Sequence, residues 1–214
     1  MENKESDIVI SGISGRFPNS DNIKEFEYNL YNKVDMTTDD EGRWKHFTDD
    51  VPPRYGKIRN LEKFDASFFS TLNKHANWTD PQIRVLLEHA YESILDAGVS
   101  PQSLVGSRTG VFIGCSTSDS RDAFLHRIPP KDGYFILGNG GFYVSNRLSY
   151  ALGLCGPSIT VDTACSSSAY ALDTAFRYME AGNKFKAATK LEFNLILLQY
   201  KQVCVTQHLL EELS

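Results

Sequence analysis

Between Thr109 and Met179 the chain alternates short apolar runs with helical patterns, an alternation that restricts it to an α/β sheet. Thr109 to Cys115 (TGVFIGC) predicts a buried strand, Gly141 to Leu152 a helix, and Pro157-Ser158-Ile159-Thr160-Val161 a second short buried strand. That second strand runs into Ala169, Leu172, Phe176 and Met179, which recur at helical spacing before Gly182. Asp80 to Ala97 carries the clearest helix signals: Asp80 as N-cap, Pro81 at the first helical position and Gly98 as the stop. Its predicted buried stripe is Ile83, Leu86, Leu87, Ala90, Ile94 and Leu95. Strand, helix, strand, helix in this order predicts a sheet with helices on both faces.

The N-terminal part reads in the same way. Asp7 to Ser14 (DIVISGIS) predicts a buried strand, and Asn22 to Tyr31 a helix with Ile23, Phe26 and Leu30 on one face. Asp35 to Arg59 is polar and proline-bearing, and predicts an irregular excursion over the surface. With 214 residues, 41% of them hydrophobic, the chain can bury one substantial core. A net charge of -5 gives no electrostatic reason to expect a nucleic acid or membrane partner. The N-terminus lacks a signal-type apolar region and no apolar run reaches membrane-spanning length, so the expected location is cytoplasmic.

Four cysteines, Cys115, Cys155, Cys165 and Cys204, make no C-x-x-C pair and no Cys/His cluster at zinc spacing, so no metal site is expected. Cys115, Cys155 and Cys204 are expected to be reduced and buried. Cys165 stands apart, in VDTACSSS at the strand-to-helix turn. A helix start directs backbone N–H groups and a positive dipole end at the turn, which favours an anion there. For cysteine that anion is the thiolate, which is the nucleophile. Asp162, Thr163, Ser166 and Ser167 are expected to shape the turn and cap the helix.

Other signals lead away from chemistry. Gly12, Gly15 and Gly138-Asn139-Gly140-Gly141 complete no nucleotide-binding motif and read as tight turns and close backbone approaches. Asp39-Asp40-Glu41 and Asp49-Asp50 read as solvated loop acids, and His89 as a packed or rim residue of its helix.

VDTACSSS (Val161 to Ser168), preceded by NRLSYALGLCGPS (Asn146 to Ser158), resembles the active-site region of the β-ketoacyl synthases, the thiolase-fold condensing enzymes of fatty acid and polyketide synthesis. IVISGISGRFP (Ile8 to Pro18), VDMTTDDEGRW (Val34 to Trp44), KFDASFF (Lys63 to Phe69), TDPQIRVLLEHAYESILDAG (Thr79 to Gly98) and GVFIGCS (Gly110 to Ser116) follow the same family in order. VDMTTDD and KIRNLEKFDASFF are closer in wording to the synthase domain that opens animal multifunctional fatty acid synthases than to polyketide synthases.

The resemblance implies the N-terminal half of a thiolase-like αβαβα layered fold, with a mixed sheet and helices on both faces. It implies Cys165 as the catalytic acyl acceptor, with no bound cofactor. The implied substrates are acyl thioesters, carried by phosphopantetheine on an acyl carrier protein domain, and the implied assembly is a homodimer paired through Pro157 to Val161. The similarity runs from about Asp7 to about Ala188, giving an expected domain over 1–188 and a divergent tail over 189–214. Family members carry two further histidines and a glycine-rich loop in their C-terminal half. His46, His75, His89, His126 and His208 stand in none of those contexts. The expected function is acyl transfer to Cys165, preceding decarboxylative condensation with a malonyl thioester in fatty acid biosynthesis. The alternative is a catalytically incomplete remnant, or a non-catalytic interaction module of the same fold.

Overall fold

A computed structural model describes residues 8–39, 54–116, 118, 120–121, 138–141, 143–184 and 195–199, with residues 182–184 and 195–199 described by backbone only. The chain divides into two units, Ser14–Leu61 with Lys201–Ser214, and Met1–Ile13 with Glu62–Tyr200.

In the first unit, helix α1 (Ile23–Tyr31) starts where expected, because the Asn22 side chain accepts the Glu25 N–H at 2.9 Å and closes the first turn. Phe26 stacks on Phe17 with ring centroids 3.9 Å apart, which ties the helix to the preceding turn. Leu30, expected on the same face, is exposed. Within the expected surface excursion, β1 (Thr37–Thr38) and β2 (Tyr55–Gly56) form an antiparallel ribbon, and residues 40–53 lie outside the described residues. The acidic positions 40, 41, 49 and 50 fall there.

The second unit holds a parallel three-stranded sheet in the order β4-β3-β5, built from β3 (Gly110–Gly114), β4 (Ser158–Val161) and β5 (Leu195–Gln199). Helix α2 (Asn73–Trp78) precedes α3 (Pro81–Asp96), α4 (Tyr143–Ala151) lies between β3 and β4, and α5 (Ser167–Lys184) follows β4. The caps of α3 are those expected. Asp80 accepts the Gln82 N–H at 2.7 Å, and Gly98 takes φ +73° while its N–H and that of Val99 bond Leu95 and Ile94 carbonyls.

Strand β3 is buried throughout and its side chains alternate between two cores. Val111 and Ile113 pack with Ile83, Leu87, Leu148 and their neighbours from α3 and α4. Phe112 packs on the other face with Ala171 and Ala175 of α5. Helices therefore cover both faces of the sheet, as the alternation of elements predicts.

Several expectations change. No strand forms over Ile8–Ser14, and Val9 and Ile10 are 75% and 80% exposed. Both edges of β3 are taken, by β4 and β5, and the segment pairs with neither outer strand among the described residues. Strand β5 comes instead from the segment read as a divergent tail. In α3, Leu95 is exposed while Val85 and His89 are buried, so the helix is covered over a wider arc than one stripe. β4 is half-buried because, among the described residues, it pairs with β3 alone. The stripe Ala169, Leu172 and Phe176 faces outward, since the smaller Ala171 and Ala175 let α5 approach the sheet closely and so occupy the inner side.

Candidate active site

Strands β3 and β4 run in register, Gly114 beside Val161, so their carboxyl ends finish level. Open parallel sheets bind ligands outside that edge. The chain leaves β4 there, passes through a single 3-10 turn (Ala164–Ser166) and enters α5 at Ser167. Cys165 is the central residue of the turn and is exposed. Its own N–H makes no hydrogen bond among the described residues.

The turn is held from several sides. Ala164 adopts φ +53°, a left-handed conformation that costs an L-residue roughly 1–2 kcal/mol. Its N–H donates to Asp162 Oδ1 at 3.1 Å. Its carbonyl accepts the Ser167 hydroxyl at 2.7 Å, and the same oxygen of Ser167 accepts the Thr163 N–H at 2.9 Å. Ser166 donates to the Thr163 carbonyl at 2.9 Å. The expected shaping roles of Asp162, Thr163, Ser166 and Ser167 are thus visible as individual bonds, while Thr163, at the N-cap of the 3-10 turn, makes no side-chain cap bond.

The underside of the turn rests on β3. A Cβ at Gly114 would lie 2.5 to 2.7 Å from the backbone of Ser167 and Ser168, so only glycine lets the helix start this near the strand. This requirement is missed by reading the sequence alone. Its one trace is a glycine interrupting the apolar run just before Cys115.

The other cysteines differ in their surroundings. Cys115 is partly buried, with Sγ 3.3 Å from Gln82 Oε1. Burial, aided by the negative charges of Asp80 and Asp162, pushes its thiol up to about 11, so it stays protonated at neutral pH. Cys155 is exposed, against expectation, although Leu152 and Leu154 just before it are buried. Cys204 lies outside the described residues.

A small cleft under the start of α3 is lined by Asp80, Gln82, Cys115, Ser118 and Asn139, and Cys165 is not on its wall. Asp80 is buried there, accepting the Ser118 hydroxyl as well as the Gln82 N–H. Gly138 approaches the Trp78 carbonyl, where a Cβ would clash at 2.2 Å, which bears out the close-approach reading of that glycine. His89 is buried in α3 with Nδ1 2.8 Å from Glu92, a packed helix residue as expected. Among the described residues no group of three His, Cys, Asp or Glu side chains converges as a metal site would require.

Residues 5–187 match the family model for the β-ketoacyl synthase N-terminal domain. The chain is 44% identical over 191 residues to a fatty acid synthase of Anser anser anser, covering 89% of this chain and 54% of that protein. It is 36% identical over 179 residues to the polyketide synthase GfsA of Streptomyces halstedii, covering 82% of this chain and 2% of the relative. Among solved structures, the ketosynthase from module 6 of the bacillaene synthase of Bacillus subtilis 168 superposes with a TM-score of 0.68 at 29% identity, covering 80% of this chain and 28% of that one. The oxazolomycin ketosynthase domain OzmH KS7 of Streptomyces albus JA3453 gives 0.69 at 31% identity, covering 82% of this chain and 32% of its own. The chain thus spans about half the length of the goose protein and under a third of each solved ketosynthase chain.

Fold and turn together define an α/β domain of the thiolase-like class. Within that class the chain belongs to the β-ketoacyl synthase family, whose N-terminal domain it carries.

Proposed function

We propose that this chain supplies the nucleophile of a fatty-acid-type β-ketoacyl synthase. The observation that supports the reading above all others is the exposed Cys165, held in a braced turn at the carboxyl edge of a parallel sheet. The Cys165 thiolate attacks the carbonyl carbon of an acyl thioester borne on a phosphopantetheine arm. A new carbon–sulfur bond forms at Cys165, the bond to the carrier sulfur breaks, and the carrier thiolate takes a proton from water. The unbonded N–H of Cys165 is a candidate donor to the oxyanion formed on the way.

Condensation requires more. Loss of carbon dioxide from a malonyl thioester leaves an enolate, and the resemblance assigns its stabilisation to the two histidines of the family's C-terminal half. The domain proposed here is 1–188, with 189–214 as an appended segment that lends β5 to the sheet. The proposed assembly is a homodimer through the outer edge of β4, which pairs with no other strand among the described residues. The proposed partner is an acyl carrier protein domain, and the proposed location is cytoplasmic. Among the described residues no helix is long and apolar enough to cross a membrane.

Intact mass after incubation with an acyl-pantetheine thioester tests the reading. The expected product is a single acyl adduct that maps to Cys165 and vanishes in Cys165→Ser, because a hydroxyl without a neighbouring base is a far weaker nucleophile. Carbon dioxide release from labelled malonyl thioester is expected to stay at background for this chain alone. An adduct on another residue, or none, would overturn the assignment of Cys165. Release above background would show that residues of this chain do the histidines' work.

A further inference from the structure

We infer that Ser167 and Asp162 are positioning residues for Cys165, acting as a two-sided clamp on the peptide groups of Ala164. The inference rests on the reading of Cys165 as the acylated residue. Ala164 immediately precedes the nucleophile and holds φ +53°, a conformation that persists only when its surroundings impose it. Both of its backbone polar groups are engaged by side chains: the N–H by Asp162 Oδ1 at 3.1 Å and the carbonyl by Ser167 Oγ at 2.7 Å.

Ser167 does two things with one oxygen. It donates to Ala164 and accepts the Thr163 N–H at 2.9 Å, so its hydroxyl bridges the backbone on the N-terminal side of Cys165 back to the first residue of α5. Ser167 is only 5% exposed, so water competes poorly for those bonds. Ser166 also bonds Thr163, but it is exposed, and solvent can replace what it offers. The hydroxyl that fixes the turn is therefore the buried one two residues past the nucleophile. Without it the Ala164 peptide can relax toward a right-handed conformation, which redirects the Cα–Cβ bond of Cys165. Small misplacements of a reacting group cost up to about 10²-fold in rate.

The test uses the cysteines of the full chain as reporters. Iodoacetamide labelling is mapped by peptide, and acylation by acyl-pantetheine thioester is followed by intact mass, in the parent and in Ser167→Ala, Asp162→Ala and Ser168→Ala. In Ser167→Ala, Cys165 is expected to slow roughly 10-fold or more in both reactions, with exposed Cys155 unchanged and half-buried Cys115 still protected. A loss of fold would instead expose Cys115 while leaving Cys155 fast. Asp162 is exposed, so Asp162→Ala tests the other side of the clamp without opening the core, and slowing of Cys165 by roughly 3-fold or more is expected. Ser168→Ala should match the parent, and Ser167→Thr, which keeps a hydroxyl, should recover at least part of the rate. Should Ser167→Ala lose its fold, Asp162→Ala alone decides. Cys165 rates within about twofold of the parent in every folded clamp variant would overturn the proposal. A parent that takes no acyl group would sink the acylation reading instead, and the alkylation rates would still decide the clamp.

Discussion

Gly114 and Ser167 approach so closely that a methyl group on the glycine would lie 2.6 Å from the serine carbonyl carbon and 2.7 Å from its oxygen. Both obstacles are backbone, so neither can turn aside as a side-chain tip would. Gly114→Ala is expected to push α5 off β3 and to cost about 1–3 kcal/mol in denaturant unfolding. Gly141→Ala is the control, since a Cβ there meets nothing within 4 Å, and its change should stay within about 0.5 kcal/mol. Equal effects from the two substitutions would show that the close approach is not what holds the glycine at position 114.

The thiol of Cys115 should make the protein sensitive to alkali. Its value is raised from 9.0 to about 11 in the folded chain, with burial as the main cause and the charges of Asp80 and Asp162 behind it. The folded state holds this proton longer than the unfolded state, so stability falls with pH wherever the two differ. The benefit is complete below about pH 9 and is lost as pH rises toward 11. Cys115→Ala should flatten that part of a plot of melting temperature against pH, relative to the parent. Parallel curves for the two proteins would count against the shift.

Asp80 joins the start of α3 to two other segments. It caps the helix through Gln82, accepts the Ser118 hydroxyl, and donates its own N–H to Gly138 at 2.9 Å. Asp80→Ala removes the cap on the Gln82 N–H, worth about 1 kcal/mol, and leaves the half-buried Ser118 hydroxyl without this acceptor, worth about 1 kcal/mol more. Asp80→Asn keeps an acceptor oxygen and should lose less. Circular dichroism during urea unfolding would rank the three proteins, and an alanine variant as stable as the parent would refute the capping account.

How far the sequence reveals the fold depends on whether the information is local. The limits of α3 can be read because Asp80, Pro81 and Gly98 each act on their own neighbourhood. The Cys165 turn is legible for the same reason, since an apolar run, a cysteine and a helical pattern follow one another directly. Ile8 to Ser14 has every local mark of a strand, yet strand pairing is decided by distant segments: it pairs with no strand among the described residues, and the edge of β3 is taken by a segment almost two hundred residues later. In α5 both the alanine side and the Leu172–Phe176 side are apolar, so periodicity alone cannot say which one meets the sheet. The left-handed Ala164 is invisible for another reason. Alanine is a residue from which a positive φ is not expected, and only the surrounding bonds impose it.

The two apolar sides of α5 also govern how this helix can change over generations. Ala171 and Ala175 set its distance from β3, so any larger residue there would lift the Cys165 turn away from its strand. About 100° round the helix, Leu172 and Phe176 present apolar surface to solvent. Neutral drift is left to a narrow polar ribbon, where Asp173 and Arg177 pair at 2.8 Å in open solvent and Glu180 follows. A helix this confined holds the bearing of its first turn against change along most of its length.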